Sequence, residues 1–322
     1  MHSYKNPELK PLLAERLKLL MPDEEDFNSF LGMLEKPTQN SIRCNTLKIQ
    51  PKELLERLKS NGWVINQPFK NYPEIMIIEN KLSPGEIGRS LEHLLGYYYV
   101  QEIASMLPVL ALEPKSHEII LDLAAAPGSK TTQIAAKMEN TGTMIANDVS
   151  IGRASILATN LERCGVSNTI ITIKQGFELC KRLRQQNFSF DKILLDAPCS
   201  GEGTLRSSRA TYAMWNIKSV KNLSNIQKSL LASCIELLKP NGEIVYSTCT
   251  HAPEENEEVI DFILNKFPEM KIEAIKLPVK CRNGVTNWDN KDYDKSIQKS
   301  CRIYPQDNDT EGFFVAKLRR VG

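Results

Sequence analysis

Asp191-Lys-Ile-Leu-Leu-Asp-Ala-Pro-Cys-Ser-Gly201 is the stretch of sequence from which the fold of this chain can be inferred. Its short apolar run ends at Asp196, a pattern typical of a buried parallel strand. The loop that follows carries the thiol of Cys199, and ligands bind at the carboxyl ends of strands in open α/β sheets. An acid and a thiol after one strand therefore indicate a functional site.

A second stretch, Gly242-Glu-Ile-Val-Tyr-Ser-Thr-Cys-Thr250, repeats this pattern and places Cys249 after another predicted strand. From residue 97 to the C-terminus, short apolar runs alternate with segments of helical spacing. Repeated β-α units favour a doubly wound, mainly parallel sheet with right-handed crossovers. We therefore assign residues 97–322 to one α/β domain. Within it, the polar segment Cys281–Ser300 is expected to be a long surface loop.

The first 96 residues follow a different pattern. Helical apolar spacing over Glu8–Leu20 and Glu24–Leu34 precedes Ser41–Lys48, which alternates like a strand. A short helix at Glu53–Leu58 and a further strand at Ile75–Ile78 complete the set. This mixture predicts a separate small α+β domain over residues 1–96.

The composition excludes several classes of protein. The chain has 322 residues, of which 41% are hydrophobic and 25% charged, as in a folded globular protein. No apolar run is long enough for a bilayer span, and the N-terminal residues lack the apolar core of a secretion signal, which predicts a cytoplasmic protein. The eight cysteines include no Cys-x-x-Cys pair, and with four histidines they predict reduced thiols and no metal site. The net charge of +2 leaves any affinity for RNA to local patches.

The first β-α turn of the α/β domain reads Leu121-Asp-Leu-Ala-Ala-Ala-Pro-Gly-Ser-Lys-Thr-Thr132. Small residues there let the backbone approach a ligand closely. A dinucleotide fingerprint needs three glycines, and a P-loop needs glycines where Ala124 and Ser129 stand. A nucleoside cofactor without a pyrophosphate, such as S-adenosylmethionine, fits better, because Asp148 ends the second strand and could bind a ribose diol. A tight turn with no ligand stays open as the alternative.

Seven motifs, in order, resemble those of the Sun-type RNA cytosine-5 methyltransferases, the family of bacterial Fmu. They are Arg43-Cys-Asn-Thr-Leu-Lys48, Tyr99-Val-Gln-Glu-Ile-Ala-Ser105, Asp122-Leu-Ala-Ala-Ala-Pro-Gly-Ser-Lys-Thr131, Asp196-Ala-Pro-Cys-Ser-Gly201, Tyr246-Ser-Thr-Cys249, Pro253-Glu-Glu-Asn-Glu257 and Asp309-Thr-Glu-Gly-Phe-Phe-Val-Ala-Lys317. The resemblance implies a Rossmann-like S-adenosylmethionine-dependent methyltransferase sheet behind the small N-terminal domain. It also implies methyl transfer from S-adenosylmethionine to carbon 5 of a cytosine in RNA.

The resemblance assigns a role to each candidate site residue. Cys249 is implied to be the nucleophile, Cys199 to release the product, Asp196 to face both cofactor and base, and Lys130 to lie near the base. Without the resemblance, the roles of the two cysteines would stay open. DNA cytosine methyltransferases use the cysteine of a Pro-Cys pair as the nucleophile, which would point to Cys199. The implied cofactor-binding residues are Ala124, Ala125, Ala126, Pro127, Gly128, Ser129, Lys130, Asp148, Arg153 and Asp196.

Two residues depart from the family pattern, and four others are expected to contact RNA. Ser129 replaces a usual glycine, and Phe177 stands where bacterial members carry an aspartate that contacts the cofactor; packing on the adenine could replace that contact. Arg153 is as compatible with a solvated helix face as with a cofactor site. Phosphate contacts are expected from Arg43, Lys48, Arg206 and Arg209. The acidic run Glu254–Glu258 is interpreted more simply as a first helical turn favoured by the helix dipole.

The sequence therefore predicts a monomeric, cytoplasmic RNA (cytosine-5) methyltransferase without a metal ion. Transfer RNA is favoured as the substrate because the compact chain resembles archaeal members of the family that act on it. Ribosomal RNA is the alternative with the same chemistry. A non-catalytic RNA-binding protein that holds S-adenosylmethionine is the alternative of a different class, and the pair of cysteines with Asp196 argues against it.

Overall fold

The computed structural model describes residues 8–322, so the first seven residues of the predicted N-terminal domain lie outside it. The N-terminal part of the chain contains a small antiparallel sheet with the strand order β2-β3-β1-β4. Its strands are β1 (Asn40–Cys44), β2 (Ile65–Asn66), β3 (Ile75–Ile78) and β4 (Tyr98–Val100). The helices around it are α1 (Pro11–Leu20), α2 (Glu24–Leu34), α3 (Pro51–Ser60), α4 (Glu86–Arg89) and α5 (Leu91–Leu94).

The last strand of this small sheet lies beyond residue 96. Strand β4 pairs with β1, with Tyr99 opposite Arg43. Tyr98 is fully buried in the same apolar cluster as Ile42 and Leu54. The N-terminal sheet thus extends a few residues past the predicted domain boundary between residues 96 and 97. The division into two domains stays a prediction.

The remaining chain forms a nine-stranded sheet in the order β11-β14-β15-β9-β8-β5-β6-β7, with β10 paired to β15. Its strands are β5 (Ile119–Asp122), β6 (Thr143–Asp148), β7 (Thr169–Ile173), β8 (Phe190–Asp196), β9 (Leu238–Thr248), β10 (Met270–Glu273), β11 (Arg282–Asn283), β14 (Cys301–Ile303) and β15 (Phe313–Arg320), while β12 (Asn287–Trp288) and β13 (Lys291–Asp292) form a separate hairpin. Strands β5 to β9 are parallel and β15 is antiparallel to β9. The predicted doubly wound sheet is confirmed.

Helices cover both faces of the large sheet. They are α6 (Ile103–Leu112), α7 (Ser129–Lys137), α8 (Ile151–Cys164), α9 (Gly176–Gln185), α11 (Ile217–Ile235) and α12 (Glu257–Lys266). Two shorter helices, α10 (Arg209–Met214) and α13 (Pro305–Asn308), pack near α1 and α2. Along β8, Ile193 and Leu195 pack into one apolar cluster and Leu194 into the other, because successive side chains of a strand point to opposite faces. Two buried faces explain why this strand is apolar without alternation.

The segment Cys281–Ser300 is not the surface loop predicted from its polar composition. It contains three short strands and a 3-10 helix at Lys295–Lys299. Trp288, Tyr293 and Ile297 are buried and pack against the core of the large sheet. Four polar residues separate Trp288 from Tyr293 and three separate Tyr293 from Ile297, so these side chains follow no constant helix or strand period.

Residues 8–322 include no helix that combines the length and the apolar character needed to cross a membrane.

Candidate active site

Three aspartates end neighbouring parallel strands. Asp122 ends β5, Asp148 ends β6 and Asp196 ends β8. Strand β5 lies between the other two, and the chain leaves it first in one direction and later in the other, so the strand order reverses there. A cavity of about 770 Å³ opens at this point, and we call it the central cavity. Its lining includes Asp148, Asp196, Cys199 and Cys249.

The turn between β5 and α7 forms one wall of the central cavity through Ala124 and Ala126. Gly128 precedes α7 with a φ of 105°, and a Cβ there would lie 2.9 Å from the side chain of Leu157. The backbone angle is one that residues with a Cβ rarely adopt, which explains the glycine at this position.

Neighbouring elements hold the rest of this turn in place. The Ala125 N–H donates to the carbonyl of Asn147 at 2.7 Å, and the Pro127 carbonyl accepts from the Asn160 side chain at 2.9 Å. The Ser129 carbonyl accepts from the guanidinium of Arg43 at 2.8 Å. The predicted residues 124–130 therefore form a fixed turn that continues into α7, and Ala124 and Ala126 are the two of them that line the cavity.

Asp148 is buried, and its carboxylate is held from two sides. One oxygen accepts from the Ser150 N–H at 3.0 Å, and the other lies 3.3 Å from the guanidinium of Arg153. Arg153 also donates to the carbonyl of Ala126 at 2.6 Å and lines the central cavity. Arg153 thus connects the end of β6 to the turn after β5, while its side chain remains 56% exposed.

Asp196 and Lys130 form an ion pair beside the two thiols. The Lys130 Nζ lies 2.6 Å from Asp196 Oδ2, and the other carboxylate oxygen accepts from the Ser247 hydroxyl at 2.7 Å. Lys130 also donates to the Ser105 hydroxyl at 3.0 Å and lies over the Phe313 ring. These contacts fix the Asp196 carboxylate at the cavity wall.

Cys199 and Cys249 meet at the cavity although they are 50 positions apart in the sequence. Their Sγ atoms are 3.2 Å apart, and both side chains are half-buried. The hydrogen bond to Cys249, together with burial, raises the pKa of the Cys199 thiol well above its usual value. Cys199 is therefore held as a thiol at neutral pH, and the two sulfurs are close enough to exchange a proton.

One end of the central cavity is apolar. Phe177, at the start of α9, is 57% exposed and lines this end together with Val149 and Leu230. A large exposed aromatic ring at a cavity mouth is available to cover a flat apolar group.

Two of the four expected RNA contacts are buried, which corrects the prediction. Arg43 is 3% exposed and bonds to Gln101, the Ser129 carbonyl and the Thr132 hydroxyl. Arg206 is 6% exposed and bonds to Asp309 and to three backbone carbonyls. Sequence alone could not reveal this, because a buried arginine is recognised only by partners that are distant in the chain. Lys48 and Arg209 are exposed, and the Lys48 Nζ donates to the carbonyls of Leu95 and Arg163, so their contact with RNA stays a prediction.

The sequence interpretation missed the residues that support the two cysteines. Ser247 contacts Asp196, while Glu255 and Asn256 are fully buried and bond to the segments around both thiols. The motif Pro253–Glu257 was the available signal, but its acids fit an exposed first turn equally well. Among the described residues, no cluster of histidine, cysteine, aspartate or glutamate could hold a metal ion.

Two family models match the chain in tandem. The model described as 16S rRNA methyltransferase RsmB/F matches residues 109–319, and the N-terminal domain of 16S rRNA methyltransferase RsmF matches residues 9–103.

Individual relatives extend these matches. The tRNA (cytosine(49)-C(5))-methyltransferase of Pyrococcus abyssi is 43% identical over 96% of this chain and 95% of its own length. Ribosomal RNA small subunit methyltransferase F of Vibrio atlanticus is 38% identical over 95% of this chain, which spans 62% of that relative. The crystal structure of NSun6 from Pyrococcus horikoshii with SFG superposes with a TM-score of 0.83 at 26% identity, covering 97% of this chain and 98% of that one.

Proposed function

We propose that this chain, which belongs to the RsmB/F family of 16S rRNA methyltransferases, methylates carbon 5 of a cytosine in transfer RNA, with S-adenosylmethionine as the methyl donor. The observation that carries the proposal is that Asp196, Cys199 and Cys249 line one cavity, with Lys130 paired to Asp196. Cys199 and Cys249 are 3.2 Å apart, and the Lys130–Asp196 ion pair lies beside them.

The central cavity fits the proposed cofactor. Its polar side offers the Asp148 carboxylate where a ribose diol binds in such sheets, and Ala124 and Ala126 leave room for a ligand against the backbone. Its apolar end offers Phe177 and Val149 to an adenine ring. SFG, which accompanies the similar NSun6 structure, is an analogue of S-adenosylmethionine. When bound, S-adenosylmethionine supplies a methyl group on a positively charged sulfur.

The two thiols divide the work on the cytosine. Carbon 5 of cytosine is a poor nucleophile until a thiolate adds at carbon 6, and we assign that attack to Cys249. After methyl transfer a base removes the proton from carbon 5, and the bond between sulfur and carbon 6 breaks. Cys199, whose Sγ lies 3.2 Å from that of Cys249, is placed to give its proton to the Cys249 sulfur as that sulfur leaves carbon 6.

Asp196 stabilises the cytosine while charge develops on its ring. A carboxylate beside the exocyclic amine and the ring nitrogen favours the enamine-like form. Lys130 and Ser247 hold this carboxylate at 2.6 Å and 2.7 Å, so it does not need to reorganise during the reaction.

Transfer RNA is our proposed target because the Pyrococcus abyssi relative that acts on it aligns along nearly the full length of both chains. Ribosomal RNA is the second candidate, since the Vibrio atlanticus relative is 38% identical over the shared region. We further propose a cytoplasmic monomer in which residues 1–96 contribute to RNA binding, with surface contacts from Lys48 and Arg209.

A methyl-transfer assay separates these proposals. Purified protein and S-adenosylmethionine with a labelled methyl group are incubated with unmodified transfer RNA or small-subunit ribosomal RNA, and bisulfite sequencing maps the product. We expect label in 5-methylcytosine of transfer RNA. Label found only in ribosomal RNA would show that ribosomal RNA, and not transfer RNA, is the substrate. Cofactor binding without label in either RNA would favour the non-catalytic alternative.

A further inference from the structure

The motif Pro253–Glu257 lies in the protein interior next to the two cysteines. Helix α12 begins at Glu257, and the residues before it form a turn instead of a first helical turn. Glu255 and Asn256 are both 0% exposed. The expected acidic first turn therefore holds for Glu257 and Glu258, whereas Glu254 and Glu255 lie before the helix.

Glu255 holds the backbone on both sides of Cys199. Its Oε2 accepts from the Ser200 N–H at 3.0 Å and from the Gln227 side-chain amide at 2.8 Å. The same amide of Gln227 donates to the Pro198 carbonyl at 2.8 Å. Because Pro198 and Ser200 flank Cys199, one carboxylate and one amide fix the position of this thiol.

Asn256 holds the backbone on both sides of Cys249. Its side-chain carbonyl accepts from the Thr248 hydroxyl at 2.6 Å, and its amide donates to the Thr250 carbonyl at 2.9 Å. Asparagine is favoured at helix N-caps because its side chain bonds to the first turn. Asn256 occupies the N-cap of α12 without any such bond, so its side chain serves the segment around Cys249 instead.

We propose that Glu255 and Asn256 are positioning residues that together set the distance between the two catalytic thiols. They are consecutive in the chain, and each holds one cysteine-bearing segment. A direct bond between the Ser200 and Thr250 hydroxyls at 2.8 Å, and a bond from Tyr246 to the Glu255 carbonyl, tie the segments together further. The resulting separation of the two Sγ atoms is 3.2 Å.

The chemical value of this arrangement rests on the methyl transfer proposed above. Release of the product is helped by a second thiol beside the attacking sulfur, which can give that sulfur a proton as it leaves carbon 6. A displacement of about 1 Å can slow such a step by as much as roughly a hundredfold. The arrangement itself can be tested without RNA or cofactor, so failure of the positioning role is distinguishable from failure of the proposed function.

The test measures how quickly the two thiols can be joined. Diamide oxidises two neighbouring thiols to a disulfide while its own N=N bond takes up their two hydrogens and becomes a hydrazine. The full-length protein is treated with diamide for increasing times, alkylated and digested, and the Cys199–Cys249 disulfide is quantified by mass spectrometry. We expect Glu255→Ala and Asn256→Ala to form this disulfide on the order of tenfold to a hundredfold more slowly than the wild type.

Two control variants test whether a slower reaction is caused by loss of the hydrogen bonds of Glu255. Glu255→Gln keeps an oxygen that can accept both hydrogen bonds, and burial raises the pKa of Glu255 to about 7, so a neutral side chain suits the site. We expect this variant to react within about twofold of the wild type. Glu92→Gln changes another buried acid, in the N-terminal domain, and should react like the wild type. The thiols of Cys281 and Cys301, which also contact each other, provide a reference pair within every sample.

Wild-type rates in Glu255→Ala and Asn256→Ala would overturn the proposal. A Glu255→Gln rate as low as that of Glu255→Ala would overturn it too, because the hydrogen bonds would then not be the cause. If Glu255→Ala does not fold, Gln227→Met replaces it, since this variant removes the amide that bridges Glu255 and Pro198 while keeping a side chain of similar length.

Discussion

Asp148 is the side chain on which the cofactor assignment depends most. It is 3% exposed, lines the central cavity and ends β6, where a carboxylate can bind a ribose diol. A cofactor at about 100 times its dissociation constant should stabilise the wild type by about 2.7 kcal/mol, which is measurable as a rise in melting temperature. Asp148→Ala should lose most of that rise. Asp191→Ala, at the opposite end of β8, should keep it, and equal rises in both variants would contradict the assignment.

Asp122 gives the site a pH dependence that affects stability. It is 1% exposed, and burial raises its pKa from 3.8 to about 7, although one oxygen accepts from the Thr131 hydroxyl at 2.7 Å. The folded state therefore binds this proton more tightly than the unfolded state, so the stabilisation is present at low pH and is lost as the pH rises through about 7.

The measurement compares Asp122→Asn, which cannot lose a proton, with the wild type. Between pH 5 and pH 8 the unfolding free energy of Asp122→Asn should rise relative to the wild type by about 2–3 kcal/mol. Urea denaturation at several pH values would show this. A constant difference between the two proteins across that range would mean that Asp122 titrates normally.

Several site residues could be predicted individually, because ligands bind at the carboxyl ends of the strands in open α/β sheets. Asp148, Asp196 and Cys199 each follow a short apolar run, and parallel strands bring such ends to one edge. Arg43 was misplaced because its partners, the Ser129 carbonyl and the Thr132 hydroxyl, are more than 80 positions away. A local pattern carries no information about such contacts.

Helix α11 provides a basic surface that leads to the central cavity. Asn225, Ile226 and Ser229 on this helix line the cavity, and Lys221 and Lys218 follow at one-turn intervals toward its N-terminus. Both lysines are exposed, and neither forms an ion pair with any residue in the range 8–322. Lys228 differs, because it is paired with Glu258 at 2.8 Å. The two unpaired lysines are therefore well placed to contact RNA phosphates.

The double variant Lys218→Glu/Lys221→Glu should weaken RNA binding and reduce its dependence on salt. Each lost phosphate contact lowers the slope of log K against log salt concentration by roughly 0.7–0.9, so the pair should lower it by about 1.5. Fluorescence anisotropy with transfer RNA at several salt concentrations measures both effects. Lys271→Glu/Lys276→Glu on the exposed surface near β10 makes the same change in net charge, and an equal loss there would indicate a general charge effect.

The regular elements of the large sheet were predicted closely because repeated β-α units have one dominant solution. Elements held by scattered contacts were not. Trp288 and Tyr293 anchor a polar segment through single side chains, and the turn before α12 is shaped by bonds from Glu255 and Asn256 to other segments. Composition and periodicity describe average surroundings, so they miss elements that depend on a few specific contacts.

Arg43 joins the N-terminal sheet to the large one. Its guanidinium, on β1, bonds to the Ser129 carbonyl and the Thr132 hydroxyl of α7 and lies over the Tyr99 ring. Arg43→Ala should lower the unfolding free energy by about 1–3 kcal/mol, because buried acceptors lose a charged donor. The salt dependence of RNA binding should stay as in the wild type. If Arg43→Ala instead changed the salt dependence of RNA binding and left the unfolding free energy unchanged, Arg43 would contact RNA, as predicted from the sequence.

The most direct test of the proposed mechanism is a denaturing gel that detects a covalent link between protein and RNA. Labelled RNA and S-adenosylmethionine are mixed with the wild type, Cys199→Ala, Cys249→Ala and the double variant. If Cys249 attacks carbon 6 and Cys199 assists release, Cys199→Ala should accumulate a slowly migrating adduct that is absent from Cys249→Ala and from the double variant. The reverse result, with the adduct in Cys249→Ala and none in Cys199→Ala, would contradict the assignment and exchange the roles of the two thiols.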